Sequence, residues 1–156
     1  MMIKVTLGEL EHLDDCVDAV RDSEIGKYFD SDQSAREFLT QAMQDDQLYV
    51  GLGDTGEVLG FVKYVPRGGF HRFPYIHVVA IKRIHRQRGV GTHLLKGFER
   101  EVLQEARRVF LLVAEFNTRA QGFYLKNGYK EIGRIPDFYR DGVTEIIMMK
   151  VLAGNP

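Results

Sequence analysis

Apolar and polar positions alternate or recur with enough regularity to divide the chain into elements. Ile3, Val5 and Leu7 alternate with polar residues and predict a short opening strand. Leu10, Leu13, Val17 and Val20 then recur at helical spacing. Residues 22–33 have no period and read as a loop or broken helix. Ser34 and Glu37 fit a capping box, and Phe38, Leu39, Ala42 and Met43 supply one apolar face of the helix after it. Leu48, Val50 and Leu52 alternate again, Asp54-Thr55-Gly56 makes a turn, and residues 57–65 return as the second arm of a hairpin. Pro66-Arg67-Gly68-Gly69 reads as a break. Residues 75–81, Tyr-Ile-His-Val-Val-Ala-Ile, form the most strand-like run in the chain. Val90, Leu94, Leu95, Phe98, Val102 and Ala106 lay one buried stripe along a long helix. An unbroken apolar strand follows at 109–114. The short helix at 118–126 has Asn117 as its N-cap and Gly128 just past its end. Strands near 129–135 and 143–151, with Asp141-Gly142 in the turn between them, close the chain. The order is strand, two helices, three strands, helix, strand, helix, two strands. That order predicts an α/β (α+β) fold with a seven-stranded mixed sheet and helices on both faces.

Length and composition narrow the class. At 156 residues and 17.9 kDa the chain is expected to form a single domain, 1–156. Hydrophobic residues make up 44% and charged residues 28%, ordinary globular usage that argues against disorder. One cysteine, Cys16, excludes a disulfide framework and a multi-cysteine zinc site, and no metal is expected. Twenty-one Lys+Arg against twenty-two Asp+Glu argues against a nucleic-acid partner. No apolar run approaches the ~20 residues of a membrane span, and the opening Met1-Met2-Ile3-Lys4-Val5 lacks a signal-peptide core. The expectation is a cytoplasmic protein with no membrane partner.

The sharpest local signal is Arg86-Gln87-Arg88-Gly89-Val90-Gly91-Thr92, set between a strong strand and a strong helix. Two glycines let the backbone approach a ligand closely, and the new helix aims its free N–H groups and positive dipole end at it. Lys82, Arg83, Arg86 and Arg88 add cationic charge within seven residues. Together they describe a phosphate or pyrophosphate cradle; a tight turn on a solvated basic face is the alternative. A dinucleotide-binding turn would have glycine where Leu94 stands. It would also place an acid ~20 residues on, whereas Glu115 lies 26 positions after Gly89. A nucleotide P-loop would have lysine between Gly91 and Thr92.

Arg86-x-x-Gly89-x-Gly91 after an apolar strand resembles the acyl-CoA pyrophosphate signature of the GNAT superfamily of N-acetyltransferases. Asn117, followed by Phe123-Tyr124-x-x-x-Gly128-Tyr129, resembles that superfamily's second block, and the element order fits its whole fold. The resemblance implies a mostly antiparallel, twisted sheet splayed between its fourth and fifth strands, and acetyl-CoA as cofactor. Acetyl would pass to a primary amine of a small molecule or peptide by direct attack in a ternary complex. Arg86, Gln87, Arg88, Gly89, Val90, Gly91 and Thr92 would hold the pyrophosphate, largely through main-chain N–H groups. The backbone of Val79 to Ile81 would pair with the pantetheine arm, and the Ile81 N–H would face the thioester oxygen. Asn117 would contact the cofactor as well as cap its helix. Dimers are common in the superfamily, so a homodimer is an expectation. A non-catalytic acyl-CoA-binding sensor on the same fold is the rival reading.

The chemistry sets further requirements. An alkylamine has a pKa near ~10.4, so removing its proton at pH 7 costs ~4–5 kcal/mol. The leaving thiolate benefits from a proton donor, and Tyr124 stands where the family places a tyrosine for that purpose; a core tyrosine is its other role. Tyr75 and His77 share a face of their strand. His77 stands where the resembling arylalkylamine N-acetyltransferases carry a catalytic histidine, a partly buried, hydrogen-bonded structural histidine being its other role, and Tyr75 matches a catalytic tyrosine of some protein N-terminal acetyltransferases. Several of the latter carry His or Glu where this chain has Leu112. That departure shifts the base to His77 or to relayed water, with Glu115 the nearest carboxylate. Glu24, Tyr28, Phe29, Phe73 and Tyr139 are expected to build the acceptor site, because acidic and aromatic groups suit a cationic amine.

Overall fold

In the computed structural model, residues 2–104 and 106–152 are described. Met1, Glu105 and residues 153–156, part of the span expected to form one domain, lie outside them. The strands are β1 (Lys4–Leu7), β2 (Leu48–Leu52), β3 (Val58–Gly69), β4 (Phe73–Ile81), β5 (Arg108–Ala114), β6 (Lys130–Ile135) and β7 (Glu145–Val151). The α-helices are α1 (Leu13–Arg21), α2 (Asp32–Gln44), α3 (Val90–Val102) and α4 (Thr118–Lys126). The strands form one sheet in the order β1-β2-β3-β4-β5-β7-β6. Pairing of β4 with β5 is parallel, while the pairs β1–β2, β2–β3, β5–β7 and β6–β7 are antiparallel. Registered pairs between β4 and β5 are Tyr75↔Phe110 and Ile76↔Leu111. The strands then run on to Ile81 and Ala114. This is the mixed, mostly antiparallel sheet expected, with its splay between the fourth and fifth strands.

The chain's contacts gather into two compact units. One runs up to Tyr64 and includes Val78–Glu101; the other is Val65–His77 with the chain from Val102 onward. In the first unit Leu48, Val50, Phe61, Val78 and Ala80 join Cys16, Val17 and Val20 of α1 and Leu39 and Ala42 of α2 in one core. The alternate positions face α3. Gly51 sits against Leu94, and a Cβ at Gly97 would run into Val5. Helices therefore cover both faces of β2, because strand residues alternate sides. In the second unit Val109, Leu111 and Val113 of β5 and Ile146 and Met148 of β7 are buried, with Tyr129 after α4.

Two local expectations are corrected. The capping box before α2 is Ser31 and Ser34, not Ser34 and Glu37. Each serine hydroxyl accepts the other's backbone N–H at 3.2 Å, so the helix opens at Asp32. Nor does Pro66 break β3, which continues to Gly69. Pairing with β2 ends at Leu48↔Lys63, so the N–H that proline lacks faces no β2 partner. The reversal comes at Phe70 and His71, with φ of 57° and 61°.

Candidate active site

The loop that opens α3 belongs to the first unit. Gln87 and Gly89 both have positive φ, 64° and 75°, and α3 begins at Val90. The alternation turns successive N–H groups toward one side before the helix adds its own free donors, the arrangement of an anion-binding nest. Gln87, Arg88 and Gly89 are exposed. Arg86 is half-buried and braces the loop from beneath. Its Nε donates to the carbonyl of Ile81 at 3.1 Å, and its Nη2 donates to the carbonyl of Asp22. Lys82 is also engaged, 2.6 Å from Asp15. Two of the four cations expected to charge the cradle thus have their heads engaged within the protein.

Along β4, Pro74, Ile76, Val78 and Ala80 are buried. Phe73, Tyr75, Val79 and Ile81 are half-buried, and His77 is exposed. The strand thus has one closed and one open face, and the open face carries all five of its expected site residues. In the second unit Tyr75 lies beside His77, ring centroids 6.1 Å apart, and its hydroxyl is 3.2 Å from that of Tyr139. Burial first, then the hydrogen bond with Tyr139 and the nearness of Tyr139, Glu145 and Tyr124, push the Tyr75 phenol well above its ordinary range. Tyr75 therefore keeps its proton at neutral pH. Burial likewise raises Tyr124 well above its ordinary value, which keeps its proton in place. Its ring packs edge-on against Phe123 and Tyr129, at 5.2 and 5.7 Å. Asn117 caps α4, its side chain accepting from the Ala120 N–H at 3.2 Å.

The family model described as "Acetyltransferase (GNAT) family" matches residues 16–129. The chain belongs to the GNAT acetyltransferase family. An uncharacterized N-acetyltransferase of Methanocaldococcus jannaschii is 35% identical over 78 residues, 49% of this chain and 50% of the relative. An N-alpha-acetyltransferase of Sulfurisphaera tokodaii is 30% identical over 104 residues, 60% of this chain and 62% of the relative. The chain thus spans about half to three-fifths of the curated relatives it matches. Among solved structures, a GNAT-family acetyltransferase of Bacillus cereus has a TM-score of 0.79 at 20% identity, covering 99% of this chain and 100% of that one. An aminoglycoside 6'-N-acetyltransferase complexed with coenzyme A has a TM-score of 0.77 at 20% identity, covering 100% and 99%. At such identities the likeness is one of fold. No helix among the described residues is long and apolar enough to cross a membrane.

Within this GNAT fold the expected acceptor residues divide. Glu24 and Tyr28 lie in an exposed 3₁₀ turn, Glu24–Tyr28, of the first unit. Glu24 is 2.9 Å from Lys27, whose ammonium holds the carboxyl below its ordinary range. Phe29 packs on Phe38 at 5.3 Å against the core. In the second unit Phe73 packs on Phe110 at 5.5 Å, while Tyr139 meets Tyr75. Glu115, the nearest carboxylate in the sequence reading, is taken up by Arg134 at 2.8 Å. Cys16 is fully buried, and burial first, then Asp15, push its thiol up to about 12 against the weaker pull of Lys82. It is an inert core thiol.

Sequence reasoning missed Glu145. This first residue of β7 is only 6% exposed, and burial raises its carboxyl above the ordinary range, partly offset by Arg140. The signal was present: Glu145 opens the run Ile-Ile-Met-Met directly after the turn that carries Tyr139 and Arg140.

Proposed function

We propose that this chain is an acetyl-CoA-dependent N-acetyltransferase that passes acetyl directly to the primary amine of a small molecule or peptide. The observation that carries the reading is the nest at Gln87 and Gly89 opening into α3, on a chain of the GNAT family. A pyrophosphate suits that nest because several main-chain N–H groups and a helix dipole converge on it. Arg86 contributes by holding the loop's shape, Arg88 is exposed on the loop, and half-buried Thr92 lies in the first turn of α3. The open face of β4 offers the Val79–Ile81 backbone to the pantetheine arm.

Tyr124 donates the proton that the departing thiolate needs. Against a thiol of pKa ~8.5, an ordinary phenol of pKa ~10 transfers its proton uphill by ~2 kcal/mol. Burial raises Tyr124 further and widens that gap, so the donation is a strengthening hydrogen bond to developing charge rather than a full early transfer. Tyr75, held by Tyr139, orders water at the amine, and His77, exposed on the same face of β4, passes the amine's proton to solvent. Direct attack is supported by the state of Cys16, which is too buried and too weakly acidic to carry acetyl.

Calorimetry tests the cofactor half. Wild type should bind acetyl-CoA, and Gly91→Glu should abolish binding by filling the cradle and adding like charge. Equal binding by the two proteins would place the pyrophosphate elsewhere.

A further inference from the structure

We propose that Glu145 is the first acceptor of the amine's proton, and the anion that draws a protonated primary amine onto the Tyr75–Tyr139 pair. This deepens the acetyltransferase reading and rests on it. Register supplies the geometry. Tyr75 pairs with Phe110, and Phe110 with Met149, so these three project from one face of the sheet. Ala114 on β5 and Glu145 on β7 are register partners two steps further along that face. Glu145 is therefore a carboxylate on the face that carries Tyr75, and it lies within electrostatic reach of that phenol. Burial supplies the second argument. A carboxylate that is 6% exposed is costly to keep ionised unless charge is brought to it. An incoming ammonium brings that charge, and the rings of Tyr75 and Tyr139 suit the cation's flanks.

The surrounding charges leave this role open. Arg140, in the turn before β7, is the cation that acts on Glu145. Tyr75 lies on the same face from β4, Tyr139 is bonded to Tyr75, and Tyr124 on α4 acts electrostatically on the same phenol. His77 stands two residues along β4. On the flanking strands its register partners Ala114 and Ile135 carry no charge. Next to them Arg134 bridges two carboxylates, Glu115 and Glu131, each at 2.8 Å.

The steps balance. The ammonium gives one proton to the Glu145 carboxylate and becomes a free amine. The nitrogen lone pair forms the new C–N bond at the thioester carbon, and the carbonyl π pair moves to oxygen. The carbonyl re-forms as the C–S bond breaks, and Tyr124 protonates the thiolate. The second nitrogen proton returns to the Tyr124 phenolate. Glu145 releases its proton through water at Tyr75 and His77 to solvent, so each turnover yields amide, free thiol and one proton.

The experiment compares an alkylamine with its trifluorinated analogue, whose lower pKa leaves it largely deprotonated at neutral pH. With the alkylamine, Glu145→Gln should lose ~100-fold or more in kcat/KM, as for loss of a general base. With the fluorinated amine the loss should be under ~10-fold, because the first proton is already gone. Acetyl-CoA affinity should stay at the wild-type value in both cases. Equal losses with the two amines, or no loss with either, would overturn the assignment. Should Glu145→Gln fail to fold, wild-type pH profiles decide. A protein limb seen with the alkylamine and absent with its analogue supports Glu145; a limb common to both overturns it. A wild-type protein that binds acetyl-CoA and acetylates neither these amines nor any other would instead remove the acetyltransferase reading beneath it.

Discussion

Two side chains separate the chemistry of this protein from its packing. Tyr124→Phe keeps the ring that packs against Phe123 and Tyr129 and removes only the proton donor. It should lower kcat by ~100-fold with acetyl-CoA affinity unchanged, read by steady-state kinetics beside calorimetry. Unchanged kcat under conditions where chemistry limits turnover would return Tyr124 to the core. Glu145 carries a stability signature with a definite sign. Its folded carboxyl titrates above the unfolded value because burial disfavours the charge. The contribution to stability is then whole below the unfolded pKa and is lost as pH rises through the folded one. Glu145→Gln does not titrate, so it should melt above wild type at neutral pH, with the gap closing toward pH 4. A gap that is constant with pH, or reversed in sign, would show that burial of the ionised carboxylate costs the fold nothing. A variant that is more stable yet less active marks a residue kept for function.

At the scale of elements, α3 and its loop divide into a part that shapes the cradle and a part that fixes the helix. Gly89 has φ +75° and, past its own neighbours, a Cβ there would meet only His93 Cδ2 at 3.9 Å. Gly89→Ala should therefore act through backbone strain of about 1–2 kcal/mol and weaken acetyl-CoA binding with little change in packing. Gly97 is the reverse. Its added Cβ would strike Val5, so Gly97→Ala should cost about 1–3 kcal/mol in thermal or denaturant unfolding by pushing α3 off β1. The two variants should thus separate, one seen mainly in binding and the other mainly in melting.

Much of this was legible in the sequence, because α3 carries a clean stripe from Val90 to Val102 and the loop's glycines precede it. The end of β3 was not. Pro66 and two glycines look like a break, and only the early end of β2 explains why a strand survives them. The start of α2 was misread for a similar reason: a serine at N3 can return the capping bond that Glu37 was expected to make.

At the scale of the whole molecule, a mixed sheet with helices on both faces followed from the order of elements and the splay between the fourth and fifth strands from the family resemblance, while the strand order and the parallel β4–β5 pair came from the structure. The site was legible where a motif names its own chemistry, as in Arg86-x-x-Gly89-x-Gly91. It was illegible where the role depends on strand register, which brings Glu145 onto the face of Tyr75 from 70 residues away in the chain. Nor could the sequence show that Arg86 donates to the Asp22 carbonyl and that Lys82 pairs with the Asp15 carboxylate, since that depends on those residues arriving beside them. The central claim is that the chain transfers acetyl from acetyl-CoA to an amine, and the most direct measurement is free-thiol release across a panel of amines, with the product weighed by mass spectrometry. We expect amine-dependent thiol release matched by an acetylated product, and both lost in Gly91→Glu. Tight acetyl-CoA binding with no thiol released for any small amine, amino acid, peptide N-terminus or lysine side chain would contradict the account and mark the protein as a binder of acyl-CoA.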